Sequence, residues 1–486
     1  MTELCDLSAL ELRRLIGTKE ISPVEVLASC RARAERVDGA VNAFVATCWE
    51  RAEAEAQAAE RAVMTGKTLG PLHGLPIAIK DLALTAGLRT TFGSPQFADH
   101  VPEADERQVW AVREAGAIVI GKTNTPEFGA GANTVNAVHG PTGNPFDPDR
   151  TCAGSSGGSA VALAVGMAPL ATGSDMGGSL RNPAAYCGVV GFRPSPGAVP
   201  HELRLIGWSP LGVQGPMGRT VADAALLFDV MAGTDHRDPL SWPQDLAPRA
   251  EPVDLGSLRV AISEDLGFAP ADDGIRKVFR QAMARIRGVF ARADGQDPPL
   301  GESAHDAFEV TRAINFLAAH VDTHRSRPEM LGPNVTANVE QGLQMSLEDV
   351  ARAMAAHTLL YRQFLAFMRD YDALICPAMA VPPFPHTQLY VEAINGERLR
   401  TYFHWLALAY GLTLTAHPVA CIPCGRDHTG MPFGIQVCGR RYGDRRTLAI
   451  AAALEQHLQS IPELARPVPD LDALAARPPL RPRAPA

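Results

Sequence analysis

Two glycine- and serine-rich runs and one isolated lysine carry the strongest chemical signal in this chain. The first run is GSSGGS at residues 154–159, the second is GGS at 177–179, and Lys80 ends the apolar stretch LPIAIK. Glycine lets the backbone approach a ligand closely, and serine supplies a hydroxyl that can act as a nucleophile or pass on a proton. A lysine held among apolar residues can lose its proton and act as a base. These residue types together indicate acyl transfer by a serine nucleophile that a lysine activates.

The second run has the composition of an oxyanion hole, with Ser179 as the attacking hydroxyl. Consecutive small residues let several backbone N–H groups converge on one point, where they meet the charge that develops on a carbonyl oxygen. Met176, Gly177, Gly178 and Ser179 could supply these donors. A free serine is a weak nucleophile, so this hydroxyl needs a base within hydrogen-bond reach.

The first run can supply a proton relay through Ser155, with Lys80 as the final proton acceptor. For that role the lysine pKa must fall from about 10.4 toward neutrality, which burial away from carboxylates can achieve. Asp81 follows Lys80 directly, but neighbouring side chains of a strand point to opposite faces. Asp81 therefore need not keep the amine protonated.

Polar and small residues beside the two runs are assigned supporting roles. Asp175 and Arg181 flank the second run, and we interpret this pair as fixing the loop geometry, because a preorganised site needs a supporting shell. Ser156 is placed in the same supporting group. Cys152 is interpreted as a small buried residue, as free cysteines usually are.

Other interpretations of these motifs remain open on sequence alone. The segment GSSGG also matches the G-x-S-x-G nucleophile elbow, which would make Ser156 the nucleophile of a Ser-His-Asp type esterase. The same glycines could cradle a phosphate at a helix N-terminus, but the Gly-Lys-Ser/Thr ending of a P-loop is missing. A zinc site could use the spacing of His417, Cys421, Cys424 and His428. The competing interpretation is a strand that ends in a Pro-Cys-Gly turn, and we predict neither a metal nor a cofactor.

The elements that must position these residues alternate between helix and strand. Amphipathic helices fill residues 1–65, which we interpret as a helical N-terminal arm. Short apolar runs predict buried strands at 77–80, 118–120 and 189–192, with a helix at 160–168 directly behind the first run. The alternation favours an α/β sheet that helices cover on both faces.

The bulk composition predicts a globular protein. Of its 486 residues 46% are hydrophobic and 20% charged, and the net charge of −8 argues against a nucleic-acid partner. Nine scattered cysteines and an N-terminus without a signal-peptide pattern predict free thiols and a cytoplasmic location. The most membrane-like stretch, 405–422, is too polar for a spanning helix, so we expect no membrane association.

Ser155 and Ser179, together with GLPIAIKD ending at Asp81, resemble the signature of the amidase signature family. The resemblance extends to KTNTPEF at 122–128 and to GMPFGIQV at 430–437. It implies one α/β/α domain over residues 1–470 around a twisted mixed sheet. Within that domain 75–200 is the catalytic core and 240–400 a variable region that shapes the substrate site. The tail at 471–486, rich in proline and arginine, is predicted to be disordered.

The resemblance also implies a Ser-Ser-Lys triad that hydrolyses a small-molecule carboxamide. Ser179 would form the acyl intermediate, Ser155 would follow a cis peptide and bridge to Lys80, and ammonia or an amine would leave without a cofactor. The oxyanion hole would be lined by the backbone amides of Met176, Gly177 and Gly178. The acyl pocket would lie near Phe128, Gly129, Ala130 and Gly131.

Further alternatives concern the substrate and the assembly. The glutaminase subunit of a tRNA-dependent amidotransferase shares this signature, and ester hydrolysis can share the acyl-enzyme step. Met176 departs from the residue that the family often has beside the oxyanion hole, so substrate preferences do not transfer. The acyl and amine specificity are left unassigned, and the chain is compatible with a homodimer.

Overall fold

An 11-stranded mixed sheet forms the centre of the single domain. The computed structural model describes residues 3–244 and 252–480. The strands are β1 (Phe44–Thr47), β2 (Pro76–Lys80), β3 (Ile118–Thr123), β4 (Val135–Asn136), β5 (Gly140–Pro141), β6 (Leu170–Asp175), β7 (Val190–Arg193), β8 (Val213–Gly218), β9 (Arg259–Ile262), β10 (Arg292–Gly295), β11 (Ala373–Pro377), β12 (Ala393–Ile394), β13 (Glu397–Arg398), β14 (Val419–Arg426) and β15 (Pro432–Cys438).

The main sheet has the order β1-β3-β2-β6-β8-β7-β14-β15-β11-β9-β10. The pairs β2–β3, β2–β6, β9–β10 and β9–β11 are parallel. The pairs β6–β8, β7–β14 and β14–β15 are among the antiparallel ones. The remaining strands, β4–β5 and β12–β13, form two small hairpins outside this sheet.

Helices cover both faces of the sheet, which confirms the predicted fold class. They are α1 (Ala9–Gly17), α2 (Pro23–Val41), α3 (Trp49–Met64), α4 (Arg107–Glu114), α5 (Gly157–Ala164), α6 (Arg181–Cys187), α7 (Val221–Met231), α8 (Asp273–Ile286), α9 (Ser303–Ser326), α10 (Pro333–Gln344), α11 (Leu347–Phe367), α12 (Ala407–Leu414), α13 (Asp444–Gln459) and α14 (Leu471–Ala475).

Two hydrophobic cores lie on opposite faces of the sheet. On β2, Ala78 packs into one core while Ile77 and Ile79 pack into the other. This division follows from the period of two of a β-strand, which sends successive side chains to opposite faces. Both faces are therefore buried, and the central strands have no solvent-facing side.

Strands rich in small and polar residues are not predicted by the apolar pattern of the sequence. The strand β6 has the sequence LATGSD and β8 has VQGPMG, neither of which resembles a continuous run of β-branched residues. The predicted N-terminal helical arm likewise contains β1, which pairs with β3. Long-range pairing overrides the weak local preference of these segments.

The predicted disorder of the tail is wrong for residues 471–480. Asp470 caps the short helix α14 by accepting hydrogen bonds from the backbone of Asp472 and Ala473. Leu474 is buried in the core that also contains Ala78, and the Leu480 N–H donates to the Gly39 carbonyl. One apolar contact and one cap are enough to order a segment whose composition suggested a coil. Residues 481–486 lie outside the described part of the chain.

The stretch from 405 to 422 is a buried passage and not a membrane span. It contains the short helix α12 followed by the first residues of β14. In the residues that the structure describes, every helix falls short of the length or apolarity needed to cross a membrane.

Candidate active site

Lys80 ends strand β2 in a pocket of serine hydroxyls. Its side chain is buried, and Nζ lies 2.7 Å from Ser155 Oγ, 2.9 Å from Ser156 Oγ and 3.0 Å from Ser174 Oγ. Burial lowers the pKa of this amine from 10.5 to about 7, although the charge of Asp175 acts in the opposite direction. The amine is therefore neutral in a large fraction of molecules near pH 7.

Asp81 turns away from the amine. Its carboxylate accepts hydrogen bonds from the Thr91 N–H and hydroxyl, and it lies 3.9 Å from Lys122 Nζ. The two neighbouring side chains leave the strand on opposite faces, so this carboxylate does not hold a proton on Lys80.

The first serine run forms a tight turn that leads into helix α5. The Gly154–Ser155 peptide is cis, which is the isomer that the resemblance implies. Behind the turn Gly158 touches the chain around Asn124, where an added Cβ would lie 2.3 Å from the Asn124 nitrogen. Only glycine permits this approach, which brings the run against β3 and toward Lys80 on β2.

Ser156 has the contacts of a supporting residue. Its hydroxyl donates to the Ser174 carbonyl at 3.3 Å and accepts from Lys80, and its side chain has no exposed surface. No histidine hydrogen-bonds to it within residues 3–244 and 252–480. A nucleophile elbow needs an exposed hydroxyl beside a histidine, so the structure does not support the esterase interpretation of Ser156.

Ser179 lies in the loop between β6 and α6, against the first serine run. Its carbonyl accepts the N–H of Ser156 at 3.2 Å, and the residue is half-buried, unlike Ser155 and Ser156, which are buried. Gly129 borders the same space, because an added Cβ there would lie 3.2 Å from Ser155 Oγ. The two runs that were separate in sequence therefore meet at one place.

Asp175, the last residue of β6, is the centre of a buried ion-pair cluster. Its carboxylate accepts from Arg181 Nε and Nη2 at 3.0 Å each, and Arg193 Nη1 lies 3.1 Å away. Burial raises the pKa of Asp175, but the two guanidinium groups outweigh burial and hold this pKa well below its usual range. Because Gly178 and Leu180 also donate their N–H groups to this carboxylate, the cluster fixes the geometry of the loop.

The structure corrects one of the predicted oxyanion donors. The Gly178 N–H donates to Asp175 Oδ1 at 2.9 Å, so this amide is already engaged. In the described part of the chain, no protein acceptor takes the N–H groups of Met176, Gly177 and Ser179. These three amides are the ones free to meet negative charge on a bound carbonyl oxygen.

Of the four residues predicted to line a substrate pocket, Phe128 and Gly129 border the site, Gly129 through its approach to Ser155, and Ala130 and Gly131 do not. Phe128 and Met176 border a cavity of about 210 Å³, which we call the inner cavity. By contrast, the Ala130 carbonyl accepts from Asn334 Nδ2 at 2.9 Å, and Gly131 packs against the same asparagine. Ala130 and Gly131 therefore contact helix α10 and are not among the residues that line this cavity.

Three polar residues near the site were not assigned from sequence. Ser174 is the third hydroxyl on the Lys80 amine, and Arg193 is the second cation on Asp175. Arg312 of α9 is buried and lies 3.7 Å from the sulfur of Met176 through Nη1. Ser174 lies three residues before the second run, but Arg193 and Arg312 reach the site only through the fold.

The side chains considered as zinc ligands do not converge. Cys421 packs into one core and Cys424 into the other, because the two residues point to opposite faces of β14. His417 binds the Thr415 carbonyl through Nδ1, while His428 lies 3.8 Å from Asp272. This geometry does not fit a shared tetrahedral site. Cys152 is buried, which raises the pKa of its thiol to about 12.

Comparison with known proteins agrees with this geometry. A family model described as Amidase matches residues 25–448. An acylamidase from Rhodococcus erythropolis is 34% identical over 457 residues, covering 92% of this chain and 95% of that protein. A glutamyl-tRNA(Gln) amidotransferase subunit from Moorella thermoacetica is 33% identical over 479 residues, covering 93% of this chain and 97% of that protein.

A solved structure shares the same architecture. A bacterial aryl acylamidase of the amidase signature enzymes superposes with a TM-score of 0.87 at 28% identity, covering 97% of this chain and 99% of the other. The family model, the sequence relatives and the shared fold all span nearly the full chain. This chain belongs to the amidase signature family.

Proposed function

We propose that this protein is an amidase that hydrolyses a carboxamide C–N bond through an acyl-serine intermediate. The observation that carries the proposal is the environment of Lys80. Its amine is buried, has a pKa of about 7 and contacts three serine hydroxyls, and no carboxylate of residues 3–244 and 252–480 pairs with it. Such an amine can accept a proton at neutral pH, which general base catalysis requires.

The contacts of Lys80 suggest which hydroxyl gives up the proton. A neutral amine has two N–H donors and one lone pair, so at least one of its three hydroxyl neighbours must donate to nitrogen. The hydroxyl of Ser156 already donates to the Ser174 carbonyl. Ser155, which lies closest to Nζ, is the hydroxyl best placed to relay a proton to Lys80.

In the proposed reaction Ser179 attacks the amide carbonyl carbon as its proton passes through Ser155 to Lys80. The free N–H groups of Met176, Gly177 and Ser179 would stabilise the oxyanion. The proton then returns through the relay to the leaving nitrogen, and the C–N bond breaks to give an acyl-serine and free ammonia or amine. Water repeats the attack and releases the carboxylate.

The test is a panel of aliphatic, aryl and amino-acid amides, with release of ammonia or amine measured. We expect Ser179→Ala, Lys80→Ala and Ser155→Ala each to lose at least about a thousandfold in kcat/KM. Ser156→Ala is the matched control from the same run and should lose much less. A Lys80→Ala enzyme with near-normal turnover at neutral pH would refute the assigned base.

A second candidate is the glutaminase component of an amidotransferase, which the Moorella relative favours. Ammonia release confined to glutamine, and dependent on added partner proteins, would support that candidate. Turnover of simple amides by the isolated chain would favour the stand-alone amidase.

A further inference from the structure

Two cavities meet along the loop of residues 201–212, beside the candidate active site. The inner cavity is bordered by Phe128 and by Met176, which is one of the three proposed oxyanion donors. A second cavity of about 380 Å³, which we call the outer cavity, lies between this loop and helices α9 and α11. Ser209 and Asn315 line both cavities, and Asn315 Nδ2 donates to Ser209 Oγ at 3.2 Å. The two cavities are therefore adjacent, and the hydrogen-bonded side chains of Ser209 and Asn315 lie at the boundary between them.

The outer cavity is lined mainly by large apolar side chains. They come from the loop, from α9, from α11 and from the end of α12, and they are Ile206, Trp208, Leu211, Ile314, Met354 and Leu414. Its polar lining consists of hydroxyls, one amide and His357, whose Nε2 is engaged by the Leu414 carbonyl at 2.9 Å. Burial lowers the pKa of His357, so this ring is neutral at physiological pH. No Asp, Glu, Lys or Arg is among the described residues that line it.

Among the described residues that line the inner cavity, none carries an unpaired charge. Burial lowers the pKa of His201 and of His320 to about 4 each, so both rings are neutral near pH 7. Its only guanidinium, that of Arg204, donates to the Ser209 carbonyl at 2.7 Å and lies 3.6 Å from Asp238. An ionised substituent would find no free counter-ion in either cavity.

The loop exposes three large apolar side chains at the edges of these cavities. Leu203 and Leu205, beside the inner cavity, are 53% and 68% exposed, and Trp208, beside the outer cavity, is 77% exposed. Exposed apolar clusters mark surfaces that bind a protein, a membrane or a ligand. Continuity with the active site identifies that ligand as part of the substrate.

We propose that the inner and outer cavities form one extended subsite for an uncharged, apolar substituent of the substrate, such as an aryl or long alkyl group. The proposal rests on the amidase function above. The inner cavity takes the part of the substituent next to the scissile amide, and the outer cavity takes its distal end. Burial of each additional methylene is expected to raise kcat/KM roughly threefold to fourfold until the outer cavity is full.

The experiment compares two series of amides with the full-length protein. One series varies the acyl chain from acetyl to decanoyl on a fixed 4-nitroanilide, and the other varies the N-alkyl chain on a fixed acetamide. Thr358→Trp fills the outer cavity from α11, where Thr358 is exposed and lines it. Ala355→Trp is the matched control, because Ala355 is exposed on the same helix but does not line the cavity.

We expect kcat/KM to rise with chain length in one of the two series. In that series we compare kcat/KM for the longest amide with kcat/KM for the shortest. Thr358→Trp should lower this ratio at least tenfold, and Ala355→Trp should leave it unchanged. Equal efficiency for short and long members, or an unchanged ratio in Thr358→Trp, would overturn the subsite.

A binding measurement separates this proposal from the proposed function. Calorimetry with the Ser179→Ala variant should show binding of the longest amide of the series whose kcat/KM rises with chain length, and adding Thr358→Trp should weaken this binding about tenfold. If no amide is turned over but this binding pattern holds, the amidase proposal fails and the apolar subsite stands. If amides are turned over but the long ones do not bind more tightly, the subsite proposal alone fails.

Discussion

One proton on Lys80 decides whether the proposed relay can operate. Because burial lowers the pKa of the amine to about 7, the lone pair is available above that pH and lost below it. We predict that kcat/KM rises with pH through an acid limb with an apparent pKa of about 7, since this parameter reports the free enzyme. The measurement is the pH–rate profile for one neutral amide between about pH 5 and 9. A profile that stays flat across the acidic half of this range would contradict a lysine base.

Asp175 illustrates how strongly one buried charge can determine local structure. Replacement with Asn keeps the size of the side chain but leaves Arg181 and Arg193 without their carboxylate. We expect Asp175→Asn to lower the free energy of unfolding by about 3–5 kcal/mol, measured by urea denaturation. Asp149→Asn is the control, because Asp149 pairs with Arg477 on the exposed surface and should cost less than about 1 kcal/mol. Equal effects of the two variants would show that the buried cluster is not structurally important.

The lysine and serine positions follow from the sequence because residue type and spacing carry their chemistry. Lys80, Ser155 and Ser156 converge where the motif placed them. The engaged N–H of Gly178 does not follow, because only the folded loop shows that the Asp175 carboxylate reaches it. Arg193 and Arg312 come from other elements, and nothing in their own sequence neighbourhood marks them.

The short turn at 127–129 brings the backbone close to the proposed relay hydroxyl of Ser155. Gly129 has a φ of +71° and borders Ser155 Oγ and Leu82. Gly66 has the same φ, but nothing lies within 4 Å of a Cβ added there. Alanine substitution at Gly66 tests only the free-energy cost of placing a side chain on a left-handed backbone. The same substitution at Gly129 adds a contact of the new methyl group with the site.

We predict that Gly129→Ala lowers kcat/KM at least about tenfold, because the new methyl group displaces the relay hydroxyl and small displacements of reacting groups are costly. Both substitutions should lower the free energy of unfolding by roughly 1 kcal/mol, because each places alanine in a left-handed conformation, but Gly66→Ala should keep full activity. The measurements are amide turnover and thermal unfolding of both variants. Full activity in Gly129→Ala would mean that this turn does not confine the relay.

The elements that the sequence predicts well are those whose apolar pattern is strong. Strands β2 and β7 lie within one residue of the predicted bounds. Strands β6 and β8 are not predicted because they contain glycine together with alanine and aspartate or with proline, residue types that are depleted in strands, and pairing in the sheet stabilises their extended structure. These weakly marked strands matter for the site, since Ser174 and Asp175 end β6.

Helix α14 packs into the same hydrophobic core as helix α2. Leu474 of α14 is buried in the same core as residues of α2, near the opposite end of the sequence. We expect Leu474→Ala to lower the free energy of unfolding by about 2–5 kcal/mol, the usual cost of deleting a buried leucine side chain. Leu347→Ala is the control, since Leu347 is 85% exposed and should change stability by less than about 0.5 kcal/mol. Indistinguishable urea midpoints would show that α14 is not docked.

The most direct measurement of the proposed chemistry is covalent labelling with a fluorophosphonate, followed by mass spectrometry of the labelled peptide. We predict a single phosphonylated residue, Ser179, and loss of labelling when Lys80 is replaced with alanine. An adduct on Ser155, Ser156 or any other residue, with Ser179 unmodified, would contradict the proposed mechanism.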